Sequence, residues 1–342
     1  MATKPSGAAH IMAGRKTIAE SAARVAAQRE ALQAATNLLK PGEIAGDYNA
    51  ARMLGTTLGG KMRPITAEDL KAFAASVKAL GKKYTGGITA RQVIDMSAPI
   101  DRERANAQIR TAVPMAHKDG VIHFVTNAGP DSDVSRHHVY VEFLNWSAAV
   151  ASPAPAKDLA RELFEGRVRW RCDCGRFTYW YSYIATVGQF IYGDQQVNFP
   201  KIRNPKLIGV ACKHGLRVMQ QLSSPAVRQR IERLIEDGRK DKPGKVYLTS
   251  KKEAEQLAAL QASRAGWKRN TVESADEKRL RLAQQRMAAK APASARARVA
   301  SMSAAQLAQE KRRFEMNLNK LVAMGVLKPK QAQAMLAKVG KS

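Results

Sequence analysis

The sequence predicts an α+β protein: a mixed helix and β-hairpin domain, a small hairpin/helix module clamped by its cysteines, and a long basic α-helical C-terminal region. Three observations carry this. Two runs near the middle of the chain alternate apolar and polar residues, the period of a strand. Segments on both sides repeat apolar residues at helical spacing, and all three cysteines fall, with one histidine, in two short pieces. The 342 residues carry 57 Lys+Arg against 29 Asp+Glu, a net charge of +28, and the pI is near 10.3. From Lys201 to Ser342 the count is 32 Lys+Arg against 11 Asp+Glu, so the basic excess is concentrated there, where only Tyr247, Trp267 and Phe314 are aromatic. Such a field favours a polyanionic partner. No apolar run approaches the roughly 18 residues of a membrane span, so a soluble protein made in the cytoplasm, with no membrane partner, is expected.

The elements follow in order. Residues 1–62 form an Ala-rich helical arm. Ile18, Ala22, Val25, Ala26, Leu32 and Leu38 make a narrow apolar stripe suited to a partner or a second copy, and Pro41-Gly42 ends it. Glu20, Glu30 and the lack of a cleavage pattern set it apart from a targeting peptide. Residues 63–150 form the mixed domain. Thr66 and Asp69 begin a helix whose core face is Leu70, Phe73, Val77 and Leu80. Gly86-Gly87 breaks it and Thr89–Asp95 forms a second, short helix. Val121–Thr126 and His137–Leu144 are an antiparallel pair joined by a loop of Asn, Gly, Pro and Asp.

Residues 151–240 form the cysteine-bearing module. After Pro153 and Pro155, a helix covers Lys157–Phe164 and stops at Gly166. Arg167–Cys174 is then a strand with Val168, Trp170, Cys172 and Cys174 on one face. Leu216, Met219 and Leu222 mark a helix, and Pro225–Asp237 a charged one. Residues 241–342 are the basic tail: a solvated break, helix-prone sequence, a flexible linker at 288–302, and a helical hairpin broken at Gly325. Leu307, Phe314, Leu318, Leu321 and Val322 line its first helix and Ala332, Met335, Leu336 and Val339 its second.

The chemistry lies in Cys172-Asp-Cys174 and Cys212-Lys-His214, separated by 37 residues. Three thiolates and an imidazole complete a tetrahedral Zn²⁺ set. Positions i and i+2 of a strand share a face, and the second pair, at a helix start, closes the cage. Arg167, Arg169, Arg171, Arg176 and Lys213 are expected around the site, a field that favours thiolates. Four protein ligands leave no open position, so the zinc is structural. The competing reading makes the cysteines small core hydrophobes and His214 a surface residue. An odd cysteine count cannot close a disulfide framework within one chain.

Cys-x-Cys, a gap and Cys-x-His over residues 168–220 resemble the SWIM-type zinc finger. That resemblance implies a β-hairpin followed by a helix, with Cys172, Cys174, Cys212 and His214 as ligands, in a protein that binds DNA or other proteins. The block from Gly166 to Tyr181, with Phe199–Pro205 and Cys212-Lys-His214, also resembles proteins encoded among the head and tail genes of tailed bacteriophages, described as virion structural proteins. This second likeness implies a particle component, located in the virion, with other virion proteins as partners.

Phe177, Tyr179, Trp180, Tyr181 and Tyr183, next to Arg176, could stack bases but fit better as the packed wall of the zinc site; Tyr181 and Tyr183, if outward, would be interface residues. Asp131, Asp133, His137, His138 and Asn145 bring a metal-dependent nuclease to mind, yet no further histidine is available to complete it. One of His137 and His138 should point to solvent. No Gly-rich phosphate loop or Gly-x-Ser-x-Gly elbow occurs. The sequence thus leads to a non-enzymatic virion structural protein, a homo-oligomer or part of a larger assembly, whose tail contacts DNA phosphates without reading sequence. The alternative is an intracellular SWIM-type nucleic-acid-binding protein of replication, recombination or regulation.

Overall fold

The computed structural model describes residues 18–30, 38–44, 55–84, 86–240, 247–263, 271–300 and 303–323, with isolated positions beyond. Strands β1 (Gly55–Thr56) and β2 (Arg63–Pro64) pair as a short ribbon. The strands β3 (Ile88–Thr89), β4 (Ala112–Lys118), β5 (Val121–Asn127), β6 (Arg136–Phe143), β7 (Arg167–Cys172) and β8 (Tyr247–Leu248) form one sheet in the order β3-β7-β6-β5-β4-β8, with every neighbour antiparallel. The helices are α1 (18–30), α2 (Pro41–Ile44), α3 (Ala67–Lys83), α4 (Ala90–Asp95), α5 (Pro99–Gln108), α6 (Trp146–Ala151), α7 (Ala156–Glu165), α8 (Ser182–Val187), α9 (Lys213–Leu222), α10 (Pro225–Arg239), α11 (Lys251–Ser263), α12 (Ala275–Ala300) and α13 (Ala304–Ala323). A π-helical turn, Phe177–Tyr181, precedes α8. The α+β class therefore holds. No helix among the described residues is long and apolar enough to cross a membrane.

Local chemistry explains the boundaries. Thr66 and Asp69 close a reciprocal capping box on α3, and Thr89 and Gln92 do the same on α4. Pro41 does not end a helix; it occupies the first position of α2, where its missing N–H costs nothing. Leu38 and Leu39 leave the helical pattern, and Leu39 exchanges main-chain hydrogen bonds with Phe199 at 2.9 and 2.7 Å. The hairpin expected at 121–144 is present as β5 and β6, in register from Val121↔Glu142 to Asn127↔Arg136.

A third strand, β4, precedes it. Its alternation is interrupted by Pro114, and the register shifts between Pro114 and Ala116, the irregularity that lets a proline sit in a ladder. Asp119 and Gly120 join β4 to β5 with φ of 48° and 81°. Both central residues of a two-residue mirror-image turn need positive φ, which is why Asp-Gly suits it. Gly120 is further constrained by Trp146, since a Cβ there would lie 2.5 Å from its side chain. On the outer edge of β4, the Gln261 side-chain amide accepts the Ala112 N–H at 2.6 Å and donates to its carbonyl at 3.0 Å. The edge is thereby closed.

Alternation gives the sheet two unlike faces. Ile122, Phe124, Val139, Val141, Trp170 and Cys172 share one, all at most 2% exposed. Helix α9 lies across it in contact with β4, β5, β6 and β7, and packs in turn on α4 and α5. His123, His138, Tyr140, Arg169 and Arg171 share the other face, which α1 covers at one end through Arg24, Arg136 and Asp173. Consequently neither His137 nor His138 points to solvent; they are 9% and 0% exposed.

Three further expectations change. The cysteine-bearing segment is no separate hairpin module, because β7 pairs with β6 from Val139↔Cys172 to Phe143↔Val168 and with β3 on its other side. A strand burying Val168, Trp170 and Cys172 has too much apolar surface for a two-stranded ribbon and joins the main sheet instead. The compact units are Met1–Ala275 and Asp276–Ser342, so strands from both 63–150 and 151–240 belong to the first. The linker expected at 288–302 is helical through Ala300 as part of α12; its Ala, Arg and Lys favour helix strongly enough to carry the chain past Pro292. In the terminal hairpin, α13 matches the first helix, whereas the second lies mostly outside the described residues.

Candidate metal centre

Cys172 closes β7 and Cys174 follows two residues later. Cys212 is the N-cap of α9 and His214 lies in its first turn. All four are buried and one ligand atom from each lies within 4.8 Å of the others. With zinc bonds near 2.3 Å to sulfur and 2.0 Å to nitrogen, tetrahedral ligand atoms stand about 3.8 Å apart. The cluster needs to contract by about 1 Å at most. His214 Nδ1 faces Cys172 Sγ at 3.9 Å. The structure brings the four residues together across the 37 intervening ones, and the buried Cys3His set is compatible with a zinc ion.

The charge state fits a cation. Burial pushes the Cys172 and Cys174 thiols well up, reinforced for Cys172 by both neighbouring sulfurs and for Cys174 by Cys212, with Cys172 opposing. Burial also opposes ionisation of Cys212, but hydrogen bonds from Cys172, Cys174 and His214 outweigh it and draw this thiol well below its ordinary value. Burial keeps His214 neutral, with its imidazole available as a ligand. Main-chain donors add to the field: Phe177 N–H reaches Cys174 Sγ at 3.3 Å and Gly215 N–H reaches Cys212 Sγ at 3.5 Å. One thiolate is thus favoured before metal binds, and a divalent ion supplies the charge that lets the other two ionise.

The expected ring of arginines is arranged differently. Arg167, Arg169 and Arg171 alternate with Val168, Trp170 and Cys172 and project from the opposite face of β7. Lys213 Nζ bonds to Gln108 Oε1 at 2.6 Å, and Arg176 makes a two-pronged pair with the fully buried Asp101 at 3.1 and 3.0 Å. Tyr181 donates its hydroxyl to the same carboxylate. This pins the π-helical turn after Cys174 against α5. Phe177, Tyr181 and Tyr183 are 1%, 1% and 7% exposed, so they form the wall of the site and face inward.

Asp173, between the two strand-side cysteines, was not singled out from sequence. Its Oδ1 accepts from His137 Nδ1 and from His138 N–H, both at 2.9 Å, and its Oδ2 accepts from Arg24 at 2.9 Å. Burial opposes its ionisation, yet the His137 hydrogen bond and charge hold it below the usual carboxylate range. Asp173 therefore ties the metal loop to β6 and α1, and His137 packs on His214 with ring centroids 4.2 Å apart. The Asp in Cys-Asp-Cys was the one sequence signal for it. The contacts from residues 24, 137 and 138 are too distant along the chain to read.

Gly215 sets the approach of α9. A Cβ there would lie 2.3 Å from the Trp170 indole, so no side chain fits while Cys212 and His214 keep their places. Gly215→Ala is expected to cost about 1–3 kcal/mol by overpacking and to weaken metal retention. Thermal denaturation together with a chelator competition checks both.

Compared with known proteins, the chain matches no family model, no curated protein and no solved structure.

Proposed function

We propose that the protein is a non-enzymatic virion structural component of the tailed-bacteriophage kind, held rigid by a structural zinc ion and contacting DNA through its basic C-terminal region. The observation that carries this reading is the closed character of the metal cluster. Four buried protein ligands in the core, at the junction of β7 and α9, leave no position for substrate or activated water. The likeness of residues 166–181, 199–205 and 212–214 to phage structural proteins supplies the particle context. The basic excess after Lys201 supplies the affinity for phosphates, with binding that falls steeply as salt rises.

Quantitative mass spectrometry of gradient-purified particles from the source tests the reading. The expected result is this chain at a fixed copy number per particle. Its absence from particles, with the protein recovered on intracellular nucleic acid, would favour the SWIM-type alternative instead.

A further inference from the structure

The second face of the six-stranded sheet has a composition that neither metal binding nor core packing requires. Strand pairing brings Arg171 beside Tyr140, Arg169 beside Glu142, and His123 beside Tyr140 on this face. Arg136 and Arg167 lie on it by the same alternation. The rings form a continuous ladder. His138 and His123 have centroids 5.1 Å apart, His123 and Tyr140 4.5 Å apart at 8°, and Tyr140 and Tyr192 5.8 Å apart at 23°. Tyr192, half-buried, ends the row.

We infer that this face is a binding surface for single-stranded nucleic acid, with the arginines of β6 and β7 on phosphates and Tyr192, at the end of the ladder, receiving a base. Charge complementarity supports that occupant. With the α1 residues included, Arg24, Arg29, Arg136, Arg167, Arg169 and Arg171 outnumber Glu20, Glu142, Asp173 and Asp194, and of these carboxylates only Glu142 stands on the face itself. Asp194 pairs with Arg171 at 3.1 Å and with Arg29 at 2.6 Å, Glu20 of α1 pairs with Arg136, and Glu142 stands 3.7 Å from Arg169. Arg136 and Arg169 retain 41% and 46% side-chain exposure, so an incoming phosphate can share or displace these partners. Alternate residues of β7 advance by about 6.8 Å, which suits successive phosphates of an extended strand. A duplex keeps its base faces stacked internally and offers Tyr192 nothing to stack on; an unpaired strand does. Helix α1 lies over the His123–His138 end through Glu20 and Arg24, bonds to Tyr140 through Ser21 and reaches Asp194 through Arg29, which leaves Arg167, Arg169 and the half-buried Tyr192 as the accessible part of this face. This surface lies within the first compact unit and is independent of the phosphate contacts assigned above to the tail.

The test uses the full chain with a labelled thymidine homopolymer and a duplex of equal length, followed by fluorescence anisotropy. Arg169→Glu combined with Tyr192→Ala is expected to weaken homopolymer binding about tenfold or more, as loss of one stacked base and one phosphate contact implies, and to leave duplex binding unchanged. Equal loss on both probes, no loss on either, or no binding of the homopolymer by the unaltered protein overturns the inference. Failure of the tail reading looks different, as absence of duplex binding with homopolymer binding intact. Because the double variant could disturb the sheet, photocrosslinking of a 4-thiothymidine oligomer to the unaltered chain gives a second reading. Adducts on the peptide containing Tyr192 are expected, and adducts confined to residues 276–342 overturn the proposal.

Discussion

Elemental analysis of the purified chain should find one zinc ion per molecule, and Cys212→Ser should lose it together with much of the order around the β7 end and the start of α9. Serine is chosen because it removes a ligand while keeping a good N-cap. Cys212 caps α9 by accepting the Gly215 N–H, and a serine hydroxyl accepts that bond at least as well. Any loss is then due to the metal. The remaining Cys172, Cys174 and His214 are buried, and three ligands without the fourth hold zinc poorly. In small zinc modules the apparent binding free energy is about 10–16 kcal/mol. Here the sheet carries part of the fold by itself, so the expected cost is at least about 3 kcal/mol, a fall in Tm of about 6–12 °C for a unit of this size. Wild-type protein that is metal-free and melts at the same temperature with and without added zinc would exclude the structural role.

A second large effect concerns acid. His117 is held down to about 4, by burial with Asp119 opposing, and His123 to about 3, by burial and then by His138. Both are neutral in the folded protein at pH 7. His117 accepts the Gly120 N–H through Nε2 at 3.2 Å and packs at a tilt against Trp146, while His123 Nε2 faces His138 Nδ1 at 2.9 Å. In the unfolded chain each titrates near 6.5. The unfolded state therefore binds more protons below that pH, and stability falls as pH falls. The contribution is complete above 6.5 and is lost progressively down to about 4 for His117 and about 3 for His123. Each histidine gives a slope that rises to about 1.4 kcal/mol per pH unit below 6.5, so lowering the pH from 6.5 to 5 should cost about 3 kcal/mol from these two. Urea denaturation at the two pH values measures this, with bound zinc followed in parallel to separate loss of metal. His117→Asn should roughly halve the slope. Equal stability at pH 6.5 and 5 would mean that the two imidazoles are not buried as neutral groups.

Much of this centre was legible before folding. Cys172 and Cys174 are separated by one residue in a strand-period run, and Cys212 and His214 sit before helix-period leucines, so the spacing already implied two ligands from each side. The capping box at Thr66 and the stop at Gly166 were likewise local, set by side chains within about four residues of one another, and the hairpin at 121–144 showed in the period-two alternation of its two strands. Strand β4 was missed although it carried a signal. Asp119-Gly120 between two apolar runs marks a two-residue hairpin, which Pro114 obscured.

The sequence by itself determined the candidate Cys3His set, the α+β class and the basic asymmetry of the chain, because these depend on residue type and on periodicities that survive without tertiary contacts. Only the tertiary structure decided that β7 enters a sheet with β6 and β3, that Arg167, Arg169 and Arg171 turn away from the thiols, and that Asp173 links α1, His137 and His138 at the metal loop. Strand partners and the face covered by a distant helix are settled by which apolar surfaces meet. That competition involves residues as far apart as Val139 and Cys172, Ile88 and Val168, or Arg24 and Asp173, whose pairing leaves no local pattern to read.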